Sequence, residues 1–187
     1  MTETDTEYSE LLQALDEFGG SLGPHEQVSC LYRLLAPLLG RVEGEDMEFS
    51  DEPVLSNPEA VRGLRRAAAG ESVDADAIHE HLTAMGLVYS EDQDPDLHVI
   101  SQSAYAAAAW LRLLAGRKLR TDDQSEDDED LIPAFAPSTF TQIIDLLAWT
   151  RSDQVYISWE DALTYPDLRD LQAATRELRA MYAEITT

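Results

Sequence analysis

Apolar residues return at spacings of three and four from Leu11 to Ile185, and a period near 3.6 commits most of the chain to amphipathic helices. Leu11, Leu12, Leu15 and Phe18 share one side of a first helix over Tyr8–Phe18, which Gly19-Gly20 is expected to end. Pro24 suits the first turn of a second helix, with Val28, Leu31, Tyr32, Leu35, Leu38, Leu39 and Val42 on its apolar face. Pro37 lies inside that run, where its ring meets the carbonyl of Arg33, so a kink or break is expected there. After an acidic loop at 43–56, Asn57-Pro58 opens a third helix that runs to about Ala69 and is closed by Gly70. Asp74 caps a fourth, carrying Ile78, Leu82 and Met85, with Gly86 in the place of a left-handed C-terminal residue.

The pattern changes after Gly86. Leu87–Ser90 and Leu97–Ile100 are short β-capable runs around the acidic turn Glu91–Asp96, and they predict one β-hairpin over residues 87–100. Ser101 or Ser103 then caps a fifth helix lined by Ala106, Ala109, Trp110, Leu113 and Leu114, whose alanines allow close helix approach. Ser138 caps a sixth, with Phe140, Ile143, Ile144, Leu147 and Trp149 facing inward, and Ser158-Trp159-Glu160-Asp161 reads as a capped short turn. Pro166-Asp167 opens a last helix. Its Leu168, Leu171, Thr175, Leu178, Tyr182 and Ile185 make a short heptad seam, suited to packing on its own domain or a partner rather than to a free coiled coil. The expected fold is mainly α, with six to seven amphipathic helices and that one hairpin. Residues 121–130, TDDQSEDDED, hold seven acids and no apolar side chain. They read as a solvated linker or loop between a helical domain at 1–120 and a C-terminal helical segment at 131–187.

Acidity is the dominant compositional feature. Across 187 residues, 37 Asp and Glu face 13 bases, of which only Lys118 is a lysine, and the formal charge is -24. Hydrophobic residues at 44% separate the chain from disordered acidic tails. The charge divides as -13 over 1–120, -7 over 121–130 and -4 over 131–187, so it coats several faces instead of ruling phosphate-like rows. Near absence of lysine with abundant Asp resembles the proteins of halophiles that accumulate salt. Such a surface is self-repelling in dilute buffer and screened in molar salt, where the Debye length is about 3 Å. No run reaches the roughly 18 apolar residues of a membrane span. The opening MTETDTEYSE is acidic where a secretory leader is basic and apolar, so a cytoplasmic location is expected, or a virion for a viral protein.

Chemical motifs are sparse. Asp92, Asp94 and Asp96 share the D-x-D-x-D start of a calcium loop, but Leu97 and Ser103 stand where its Gly and bidentate Glu belong. His79 and His81, two apart on a helix, point about 200° away from each other and cannot share a metal, so both are expected at the surface or half-buried. Cys30 is a lone cysteine without a nucleophile signature, and a small core residue is the expected role. The chain has no G-x-S-x-G, glycine-rich phosphate loop or H-E-x-x-H. Neither an enzymatic activity nor a cofactor or metal is expected.

Residues 59–115 resemble a winged-helix unit: a helix, a second helix ending Met85-Gly86-Leu87-Val88, a turn at Asp94-Pro95-Asp96, and Ser101 leading into a further helix. The resemblance implies a transcription regulator, yet its recognition helix would be Asp74–His81, acidic where phosphate contact requires Lys or Arg. The segment Leu31–Leu39 is similar to the opening of redox-enzyme maturation chaperones of the TorD type. The ending Ile157–Leu163, followed by Pro166 and a helix, looks like the ends of phage tail-assembly and connector proteins.

The leading expectation is a non-catalytic interaction or assembly protein of a halophile or its virus. Trp149, Trp159, Leu171, Leu178 and Tyr182 are its candidate contacts with a protein partner or a second copy, because aromatic anchors favour interface centres. Arg62, Arg65, Arg66, Arg117 and Lys118 are candidates for an acidic partner, or for nucleic acid, which the acidic recognition-like helix disfavours. The bases ending the fifth helix also suit the helix dipole. No membrane association is expected.

Overall fold

The computed structural model describes residues 3–45, 55–90, 94–116, 137, 139–154 and 170–187. Among them every regular element is helical: α1 (Glu3–Ser21), α2 (Pro24–Leu35), α3 (Leu39–Glu43), α4 (Asn57–Ala68), α5 (Ala75–Ser90), α6 (Pro95–Ala115), α7 (Phe140–Arg151) and α8 (Leu171–Thr186). No described helix is long and apolar enough to cross a membrane. The proline expected to interrupt the second helix does so. Pro37 sits in a 3-10 turn, Ala36–Leu38, that joins α2 to α3.

Side chains and glycines set the boundaries. The Gly23 N–H donates to Glu26 Oε2 at 2.8 Å to start α2. Ser56 N–H donates to Glu59 Oε2 at 2.8 Å to start α4, one residue before the expected Asn57 cap. Asn57 is freed for a buried role: its amide donates to the Glu45 carbonyl, and its Oδ1 lies 2.7 Å from His81 Nε2. Gly70, at φ 79°, ends α4 in the left-handed region, with Glu71 N–H returning to the Arg66 carbonyl at 3.0 Å.

The hairpin expected at 87–100 is not formed. Leu87–Ser90 are the last turn of α5, and Pro95–Ile100 are the first turns of α6, so the two elements make a helical hairpin instead. Asp94 accepts from the Asp96 N–H at 2.9 Å and Pro95 follows, a helix start that outweighs the β propensity of the four residues after it. Ser101 and Ser103 are therefore interior, not caps. Ser101 Oγ donates across to the Gly86 carbonyl at 2.7 Å and Ser103 Oγ to the Val99 carbonyl at 2.8 Å. Gly86 does not end α5 either. It is buried, and a Cβ there would sit 2.6 Å from the Tyr105 ring, so its value is close helix approach. Gly19 likewise lies within α1, which runs on to Ser21, and faces Phe140 of α7.

One apolar core takes side chains from all the longer helices, from Tyr8 and Leu15 through Leu31, Leu64, Leu82 and Trp110 to Ile144, Trp149, Leu178 and Ile185. α7 and α8, from beyond the acidic segment, pack on α1, α2 and α6. Arg151 of α7 reaches Glu184 at 2.6 Å and Glu177 at 3.2 Å on α8, and Arg179 of α8 pairs with Glu7 of α1. Inside, the Tyr8 hydroxyl and the Trp149 indole N–H both donate to Asp145 Oδ1, the latter at 3.3 Å. The residues 121–130 lie outside the described part.

Candidate functional site

The surface opens into a cleft of about 370 Å³ between α2, the C-terminal end of α4 and the second half of α6. Helical spacing of α2 brings His25, Ser29, Tyr32 and Arg33 to one edge of it, at offsets of four, seven and eight residues. The opposite wall is Ala67–Gly70, where short side chains and the glycine that ends α4 leave space that larger residues would fill. Trp110 and Leu114 of α6 close the base. The Tyr32 and Trp110 rings lie 5.0 Å apart and tilted by 43°, and the Trp110 indole N–H is spent on the Val28 carbonyl at 2.9 Å.

The polar groups of the cleft are uncommitted. Among the described residues, the side chains of His25 and Ser29 and the Tyr32 hydroxyl make no hydrogen bond, and Arg33 touches only the buried Cys30 Sγ, at 3.4 Å. Burial holds the Tyr32 phenol above its ordinary pKa, with the Arg65 charge pulling the other way, so it stays a neutral hydroxyl. Among the described residues no carboxylate lines the cleft. The neighbouring acids are occupied: Glu26 caps α2, Glu71 pairs with Arg66 at 2.7 Å, and Glu43 holds Arg65 through two bonds of 2.6 and 3.1 Å. That fork keeps the Glu43 carboxyl below and the Arg65 guanidinium above their usual ranges.

The basic triplet of α4 is accordingly not a cationic patch. Arg65 and Arg66 are paired, and Arg62 alone makes no ion pair among the described residues. It borders a smaller groove, about 230 Å³, shared with Glu59, Asp74 and Ile78. Arg117, Lys118 and Trp159 lie outside the described residues. Trp149 and Leu178 are fully buried, and Leu171 and Tyr182 are half-buried against the same core, so the α8 seam packs on the chain's own helices. Among the described residues, the large hydrophobics that do reach the surface are Leu87 and Val88 at the end of α5.

His79 and His81 are both 5% exposed, where surface or half-buried positions were expected. They do diverge, but α5 is covered by α4 on one side and α6 on another, so each face meets protein. Burial, helped by the Arg112 charge and opposed by Asp76, lowers the His79 pKa to about 4. Burial also lowers that of His81, against Glu59. Among the described residues no three His, Cys, Asp or Glu side chains come together to hold a metal ion. Comparison of the chain with protein-family models, curated proteins and solved structures finds no match.

Proposed function

We propose that the protein is a non-catalytic interaction or assembly protein of a salt-accumulating cell or its virus, and that it engages its partner at the cleft between α2, α4 and α6. One observation carries this reading. The cleft sets the half-buried Tyr32 and Leu114 beside four polar side chains, of which, among the described residues, three make no hydrogen bond and one only a contact to sulfur, while Arg41, Arg65, Arg66, Arg151 and Arg179 are all ion-paired. Polar groups beside an apolar floor with their hydrogen-bonding capacity unspent are what a docking partner needs to fix its orientation. The acidic coat supports the salt assignment, since a charge of -24 is tolerated best where ions screen it.

The test is light scattering and affinity capture in 2 M KCl, with the intact chain beside a Ser29→Trp variant that fills the cleft. A defined complex or oligomer formed by the first and lost in the second is expected. An inert monomer in both overturns the proposal.

A further inference from the structure

Resting on that reading, we infer that the cleft seats an acidic segment of a partner protein, with one apolar side chain laid against Tyr32 and Leu114 and a flanking carboxylate held by Arg33 and His25. Size comes first. About 370 Å³ lies at the lower end of ligand-pocket volumes, enough for one large side chain and its neighbours and not for a folded element. The sign of the charge comes second. Among the described residues Arg33 carries a guanidinium with no carboxylate partner, and the imidazole of His25 and the hydroxyls of Ser29 and Tyr32 supply donors beside it. Among the described residues, none of those lining the cleft offers a carboxylate to a basic segment.

An objection is that an acidic segment must approach a chain of charge -24. In molar salt the Debye length is about 3 Å, so long-range repulsion vanishes while a guanidinium–carboxylate contact inside the cleft survives. Discrimination by direct contact, with no steering at a distance, is the mode such conditions leave open. The apolar floor of Tyr32 and Leu114 supplies the remainder, because apolar burial is strengthened rather than screened by high concentrations of excluded salts. Trp110 is buried beneath that floor with its N–H bonded to the Val28 carbonyl, so hydrogen bonding falls to the α2 edge.

The experiment uses the full chain in 2 M KCl and four labelled nine-residue peptides with a Gly/Ser framework. Three carry a central Phe flanked by two Glu, two Gln or two Lys, and the fourth has the Glu flanks with Ala in place of Phe. The Glu–Phe peptide is expected to bind saturably, and about tenfold or more tighter than the Lys–Phe and Glu–Ala peptides. Arg33→Gln should cost the Glu–Phe peptide about tenfold and leave the Gln–Phe peptide unchanged. Ala68→Trp, which plugs the opposite wall, should abolish binding with an unaltered thermal transition, and Ser29→Trp provides the same block from α2. Binding indifferent to flanking charge, or none by any peptide, overturns this inference while leaving the broader interaction role to its own capture experiment. Displacement of the Glu–Phe peptide by free phenylacetate at equal concentration also overturns it, in favour of a small carboxylate ligand.

Discussion

The Tyr8 hydroxyl donates to Asp145 Oδ1 across a separation of 137 residues, joining the first helix to the one that follows the acidic segment. Asp145 is 6% exposed, and the same Oδ1 also accepts from the Trp149 indole N–H at 3.3 Å. Tyr8→Phe removes one hydrogen bond to that buried carboxyl. A loss of about 1–3 kcal/mol is expected from removing a hydrogen bond to a buried charged group, read as a lower urea midpoint at fixed salt. Tyr8→Phe combined with Asp145→Leu should recover part of it, since removing both polar partners relieves the desolvation cost. A double variant less stable than the sum of the two single changes contradicts this account.

Two glycines should respond to alanine with opposite signs. Both are helical, and alanine is favoured over glycine in a helix by about 1 kcal/mol. At Gly40 the added Cβ meets nothing within 4 Å, so Gly40→Ala stabilises by up to that amount. At Gly86 it would meet the Tyr105 ring at 2.6 Å, and the overpacking penalty of about 1–3 kcal/mol exceeds the propensity gain. Thermal unfolding of the two variants against the parent checks the difference in sign.

Gly86 also shows why part of the fold could not be read from the sequence. A glycine after Leu82 and Met85 has the same sequence signature whether it ends a helix or lets another helix approach. Only the position of Tyr105 decides, and that is tertiary. Leu87–Ser90 and Leu97–Ile100 are four-residue runs, too short for periodicity to separate strand from buried helix. The Asp94-Pro95 pair that favours a helix was legible, but it also suits a turn. The long amphipathic stretches were readable, because their apolar spacing extends over three or more turns. In the cleft, the α2 edge is a visible stripe of His25, Ser29, Tyr32 and Arg33. Its facing wall, Ala67–Gly70, and its base at Trp110 meet that stripe only through packing, and nothing local to either segment announces it.

Acid should destabilise the protein in two stages. His79 has a folded pKa of about 4 against 6.5 when unfolded, so between those values the unfolded chain binds the extra proton. Stability is then fully present above pH 6.5 and falls as pH drops toward 4, by at most about 1.4 kcal/mol per unit for this group. His81 acts in the same direction. Glu43 and Glu59, held below their ordinary value by Arg65 and by the Ser56 cap, add a second decline as pH falls below about 4.5. Urea midpoints from pH 7.5 to 4 should show the first stage in the parent chain and a shallower slope in His79→Leu. Equal slopes in the two would remove His79 from the explanation.

Salt should raise stability in spite of the ion pairs. Arg151 with Glu177 and Glu184, Arg179 with Glu7, and Arg41 with Asp153 tie α7, α8, α1 and α3 together, and screening weakens each such surface contact by no more than about 1 kcal/mol. Opposing them is the mutual repulsion of an excess of 24 negative charges. Screening relieves all of those repulsions together, so the balance favours the folded chain as salt rises. The thermal midpoint is expected to climb between 0.1 and 2 M KCl, and Arg151→Ala should lower the whole curve while lessening none of its rise. A midpoint that falls with salt would mean that the ion pairs outweigh the coat, and would sink the assignment of this chain to a high-salt interior.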